Sequence, residues 1–230
     1  MSTKDIVIVI DSLQNRIQKY PQLGNKKDKF YNLLENIKNE YKKLEVPDNL
    51  LEVYNSLVKK GKELNNKFSA TANAKEIKDQ VEYYIRYLNA ALGDLRNEVG
   101  WVNVYQRWFL FTSILFLVLS PQWFGFVLPA LFFVPIFLGS RGLKARSVNG
   151  FYMSLSVAPI GFMTGTVWAK NGLYVMGNMA TAIANNMAQT GRSQGFATAL
   201  TIVPPILGVI LVISSIVMAY KGYKAKHLFV

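Results

Sequence analysis

The chain has 230 residues, with 26 Lys and Arg against 14 Asp and Glu. That length would suit one or two soluble domains, but every acid lies between Asp5 and Glu98, and a water-facing surface mixes both signs throughout. The chain has no cysteine, which excludes disulfides and thiolate metal centres.

The opening stretch, MSTKDIVIVIDS, holds too short an apolar run, with the wrong flanks, for a signal peptide. Instead, residues 1–100 carry four helical patterns. Ile6, Ile10, Leu13, Ile17 and Tyr20 recur at alternating spacings of four and three, up to Pro21. Phe30, Leu34, Ile37, Tyr41 and Leu44 repeat the pattern before Pro47. Leu50, Tyr54, Leu57, Gly61, Leu64 and Phe68 continue it, with Asp48 or Asn49 as N-cap. After the SATAN link, Asn73 and Glu76 read as a capping box ahead of Ile77, Val81, Tyr84, Leu88, Leu92 and Leu95. The period is that of a bundle or coiled coil, and short links predict antiparallel neighbours. The fourth helix is expected to run on into the first membrane span, with Gly93 and Gly100 softening the junction. The charged faces are read as solvated surface, or as a docking face for a cytosolic protein partner.

From residue 101 the chemistry changes. Nine basic residues remain, and residues 108–140, 147–169, 171–191 and 193–220 are uncharged and mostly apolar. A membrane-crossing helix needs about 20 such residues. The prediction is therefore all-α: a membrane helix bundle of about four spans over 101–230, with an N-terminal cytosolic antiparallel bundle over 1–100. The spans are placed at 101–119, 123–138, 148–169 and 196–220, the first two separated by the Ser120-Pro121-Gln122 turn. Arg141, Lys144 and Arg146 in one link, and Lys221, Lys224 and Lys226 in the tail, place both stretches in the cytoplasm by the positive-inside rule. Both termini are then cytoplasmic, and residues 170–195 lie outside. The four tryptophans fall near span ends, as interfacial aromatics do.

Residues 172–191, GLYVMGNMATAIANNMAQTG, are long enough to cross but rich in amides. A full span there would push the basic tail outside, so the stretch is read as a helix on the outer face or dipping partway in. Asn178, Thr181, Asn185 and Gln189 recur about once per turn as a polar face, backed by Met176, Met179, Ile183 and Met187. Such a face suits either an outer-surface helix or the lining of a pore. Two further features stand out. Gly150, Ser154, Ala158, Gly161, Gly165 and Ala169 form a stripe of small residues, which lets helices approach closely within or between chains. Arg107 is a charge inside the first span, read as functional or as snorkelling to headgroups.

The membrane half has no acid, and its one histidine, His227, belongs to a tail expected to be solvated. Cation-coupled transport, metal-assisted hydrolysis and general acid–base catalysis therefore lack their usual groups. No catalytic residue, metal or cofactor is expected, and topology accounts for the basicity without nucleic acid. Two functions are weighed: a homo-oligomeric channel or permeation protein, and a structural membrane anchor that recruits partners or organises the bilayer.

Overall fold

A computed structural model describes residues 2–68 and 73–230; most of the SATAN link lies outside them. The fold is all-α: among the described residues the only β pairing is a lone bridge between Ser2 and Glu45. The chain divides into two compact units, Met1–Gly100 with His227–Val230, and Trp101–Lys226.

The first unit is built from α1 (Lys4–Lys19), α2 (Lys26–Tyr41), α3 (Leu51–Lys67) and α4 (Ala74–Leu95). The apolar positions at alternating three and four point inward: Ile6, Leu13, Leu34, Tyr41, Leu57, Val81 and Leu88 are all buried in one core. Helices α1 and α2 are antiparallel, joined at one end by Thr3 donating to Tyr41 O and further along by Lys38 to Asp11. Helices α3 and α4 are likewise antiparallel, with Tyr84 donating to Leu57 O. Burial holds the Tyr41 and Tyr84 phenols well above their ordinary value.

The caps differ from the expected ones. Pro47 leads into a short 3-10 turn at Asp48–Leu50, so neither Asp48 nor Asn49 caps α3 with its side chain. Asn73 does cap α4, accepting from Lys75 N at 3.0 Å, but Glu76 accepts from Gln80 instead of completing the box. The expected run of α4 into the first span is also corrected. The helix ends at Leu95, Asn97 takes φ 58°, and Glu98 N bonds back to Gly93 O at 2.8 Å. That 6→1 bond closes a helix end, so the junction is a turn.

Gly93 has a different task. A Cβ there would collide with Leu228, which is fully buried together with Phe229. His227 Nε2 lies 2.8 Å from Glu98 Oε2. Thus residues 227–229 are part of the first unit, and His227 is not simply solvated.

Lys38 joins α2 to α1 through Asp11 at 2.8 Å and also pairs with Glu35 of its own helix at 2.6 Å. Desolvation alone would pull the Lys38 ammonium down, but its bonds to the two carboxylates outweigh it and the net shift is upward. The bonds from Lys38 and Gln14 lower Glu35 below its ordinary 4.5. A carboxyl lowered in the folded state contributes stability above its unfolded value, and loses it as pH falls through the folded one. Below about pH 4.5, urea midpoints should therefore fall less steeply with pH in Glu35→Gln than in the parent. Parallel slopes would show that the pair contributes nothing.

The second unit comprises α5 (Gly100–Leu119), α6 (Pro121–Phe124), α7 (Val127–Lys144), α8 (Val148–Leu155), α9 (Val157–Gly177), α10 (Met179–Thr190) and α11 (Gln194–Ala225). Of these, α5, α7 and α11 are long and apolar enough to cross a membrane. Their outer faces agree: Ile114, Val118, Leu131, Phe133, Phe137, Ile206, Ile213 and Ile216 are all more than half exposed. So much exposed aliphatic and aromatic surface suits lipid rather than water.

The expected span at 148–169 is not one helix. It breaks at Ser156, leaving α8 too short and α9 carrying the polar Lys170-Asn171 step. The two pieces nevertheless run level with α5. Tyr105 pairs with Ser154 at 2.7 Å, and Trp168 donates to Leu119 O at 2.9 Å, both at a sequence offset of 49. The second expected span also shifts, with Trp123 in the short α6 and the long helix starting at Val127.

The small-residue stripe is filled within the chain. Gly150 meets the backbone of Gly142, and Ser154 that of Gly139, on α7. Ala158 is buried. Cβ atoms at Gly161 and Gly165 would lie 2.8 Å from Ser215 Oγ and 2.6 Å from Gly208 O, both on α11. Such close approach of backbones lets dispersion hold these helices together, the packing mode small residues provide.

Candidate functional site

At the end of the second unit marked by Leu119 and Trp168, four breaks in helical structure frame a cavity. Helix α5 stops before Pro121, whose ring locks its own φ and starts α6. Gly125 follows at φ 60°, a conformation glycine adopts without strain. Helix α9 continues to Gly177, where Asn178 leaves helical geometry at φ −135°, ψ 33°. Helix α10 then runs to Thr190 and closes on Gly191 in the left-handed region at φ 62°. Helix α11 begins at Gln194 and contains Pro204 and Pro205, whose missing N–H groups leave two carbonyls of the preceding turn without helical partners.

These elements enclose an open cavity of about 710 Å³. Its polar lining is Gln122, Asn171, Asn178, Thr181, Asn185, Asn186 and Thr201, and its apolar walls include Trp123, Trp168, Tyr174 and Phe196. Among the described residues, no charged side chain lines it.

Some of these groups hold the site together. Asn186 Nδ2 donates to Thr201 Oγ1 at 2.7 Å, and that hydroxyl donates to Ala197 O, pinning α10 to α11. Asn178 Nδ2 donates to Tyr174 O at 3.2 Å, which leaves its carbonyl free. Trp168 is fixed by its bond to Leu119 O, and Trp123 meets it edge-on with ring centroids 5.4 Å apart. The side chains of Gln122, Asn171, Thr181 and Asn185 make no hydrogen bond to the described residues, so they are free for a ligand. Each amide offers two donors and an acceptor.

The sequence-derived candidates sort clearly. Asn178, Thr181 and Asn185 line the cavity, although Asn178 sits in the break before α10 rather than on it. Gln189 is exposed on α10 beyond the cavity. Arg107 is exposed on α5 and takes no part. The stripe of Gly150, Ser154, Ala158, Gly161 and Gly165 serves packing as described.

The apolar stripe expected behind the amides is not buried in a core. No residue of α10 is buried, and Met176, 75% exposed, belongs to α9. Met176 and Met179 instead line a separate apolar recess of about 310 Å³ with Ile206 and Val209. Trp168 is likewise no lipid-facing anchor but an internal wall.

Sequence reasoning missed Gln122, Asn171, Asn186 and Thr201. They lie on four different elements, so no single periodicity links them. The available signal was that Gln122 and Asn171 share an expected membrane level with Asn178.

An all-α chain with three helices long and apolar enough to cross a membrane, and with an uncharged amide cavity, is the class these observations define. No protein-family profile matches the chain, and no curated protein or solved structure is similar to it.

Proposed function

We propose that the chain is an integral membrane permeation protein, with the amide cavity as the outer vestibule of a solute path and residues 1–100 on the cytosolic side. The observation that carries this reading is the cavity itself. Hydrocarbon cannot satisfy free amides, and neutral polar linings are a recurrent device where solutes enter membrane proteins. Ser120, Thr164, Thr112 and Ser113 add to it. Their hydroxyls are buried on α5, on α9 and, for Ser120, in the step between α5 and α6, without hydrogen-bond partners among the described residues, and such groups are the usual seats of internal water. They carry polarity inward from the vestibule.

Four crossings fit this reading. The constant offset of 49 carries α8–α9 through whatever slab α5 crosses. The chain also leaves the first unit at Gly100 and rejoins it at His227, which calls for an even number of crossings. With Arg141, Lys144 and Arg146 on the same side as Lys221, Lys224 and Lys226, that side is the cytoplasm. Since the small-residue stripe is filled internally, copies that assemble would do so through the lipid-facing sides of α5, α7 or α11. Each chain would then hold its own vestibule.

Purified protein in liposomes tests the proposal, with K⁺, Cl⁻ and small neutral solutes as probes. Asn178→Leu combined with Asn185→Leu should cut flux at least about tenfold without lowering the melting temperature, because removing a polar group that faces water costs little. Liposomes no leakier than protein-free ones would overturn the reading. The chain would then stand as a non-catalytic anchor presenting residues 1–100 to a cytosolic partner.

A further inference from the structure

We propose that the cavity binds a neutral, polyhydroxylated ring of monosaccharide or cyclitol size, seated on the indole of Trp123. This names the solute class of the permeation reading and rests on that reading for passage only; binding stands separately. Three features of the wall select the ligand.

The first is charge. A charged ligand leaving water for this wall would meet no counter-charge there, and an uncompensated charge is costly to desolvate. The second is the balance of donors and acceptors. A bare cation would use only the amide carbonyls and a bare anion only the NH₂ groups. A hydroxyl both donates and accepts, so a ring edged with hydroxyls uses both halves of Gln122, Asn171 and Asn185, together with the Thr181 hydroxyl and the free Asn178 carbonyl.

The third is the aromatic geometry. Trp123 is 43% exposed while Trp168 is buried, and their ring planes cross at 77°. The cavity therefore has one well-exposed indole in its lining, not a parallel pair that would sandwich a flat base. The electron-rich face of an indole attracts the weakly positive C–H groups on one side of a sugar ring. A volume of about 710 Å³ falls within the ordinary range of small-molecule sites and leaves room for water around a single ring.

Saturation-transfer NMR on the full chain in detergent tests this, with D-glucose, myo-inositol and uridine as probes and KCl as competitor. Transfer to the ring C–H protons of glucose or inositol is expected, undiminished by added salt because no ion pair is involved. Trp123→Ala should abolish it and Trp123→Phe should retain it, which separates loss of the aromatic platform from misfolding. Asn171→Leu and Asn185→Leu should each weaken binding by about tenfold, the scale of one polar partner lost. Gln189→Leu, on α10 but outside the cavity, should change nothing. The proposal is overturned by no transfer to either polyol, by stronger transfer to uridine, or by unchanged binding in Trp123→Ala. Polyol binding without flux would uphold this site and remove the permeation reading. Flux without polyol binding would do the reverse.

Discussion

Gly165→Leu is expected to disrupt the second unit. A Cβ at this position would lie 2.6 Å from Gly208 O and 2.9 Å from Val212 N, both backbone atoms of α11. Backbone cannot rotate away as a side-chain tip can, so α9 and α11 must separate along their contact. Overpacking of a core costs typically 1–3 kcal/mol, and a backbone clash in the main helix pair belongs at or above the top of that range. For a protein of this size, about 3 kcal/mol corresponds to a fall in melting temperature of roughly 6–12 °C. Leu155→Phe, at a half-buried position beside the Ser156 break, should shift it by much less. Equal melting of the two variants in detergent would show that α9 and α11 do not meet as described.

Removing residues 227–230 is expected to loosen the first unit. Leu228 and Phe229 are almost wholly buried, and each apolar side chain of that size is worth about 1.5–3 kcal/mol of burial. Their loss would also leave Gly93 facing an apolar notch and Glu98 without His227. The two side chains together set a loss of roughly 3–6 kcal/mol. At about 1.4 kcal/mol per tenfold, amide exchange at the end of α4, from Leu88 to Leu95, should then quicken by roughly a hundredfold or more. Leu228→Asp should act in the same direction, because a carboxylate cannot enter the notch unpaired. Unchanged protection in both variants would mean that the tail contributes nothing to the bundle.

The helices of the first unit were legible because a local rule governs them. Ile6, Ile10, Leu13 and Ile17 announce a buried stripe through their spacing alone, and that stripe lies in the core. The end of α4 was not legible. Its apolar pattern continues across Leu92 and Leu95, whereas the stop depends on Asn97 taking a positive φ and on a notch at Gly93 for a residue 135 positions away. The Ser156 break was hidden for a different reason: small residues on either side kept the same stripe, and the contacts that seat α8 are with a second helix, α7, which a periodicity read along one stretch does not report.

In the candidate site, the spacing of Asn178, Thr181 and Asn185 found one wall. The rest of the wall is assembled by tertiary structure, from a turn, the end of α9 and the start of α11. A periodicity confined to one helix cannot find groups that converge from several. Arg107 drew attention by its charge within an apolar run, and it lies exposed on α5, outside the lining of the cavity.

The docking of Leu228 has a consequence for biosynthesis. The bundle helices emerge from the ribosome well before residue 228. At 5–20 residues per second, roughly 7–27 seconds separate the completion of α4 from the arrival of the side chain that fills its notch. During that interval the nascent bundle carries an open apolar gap beside Gly93, a natural foothold for a chaperone. The gap closes only when Leu228 and Phe229 reach the bundle, so a chain that has not delivered them keeps its notch exposed, and quality control could distinguish the two by that surface alone.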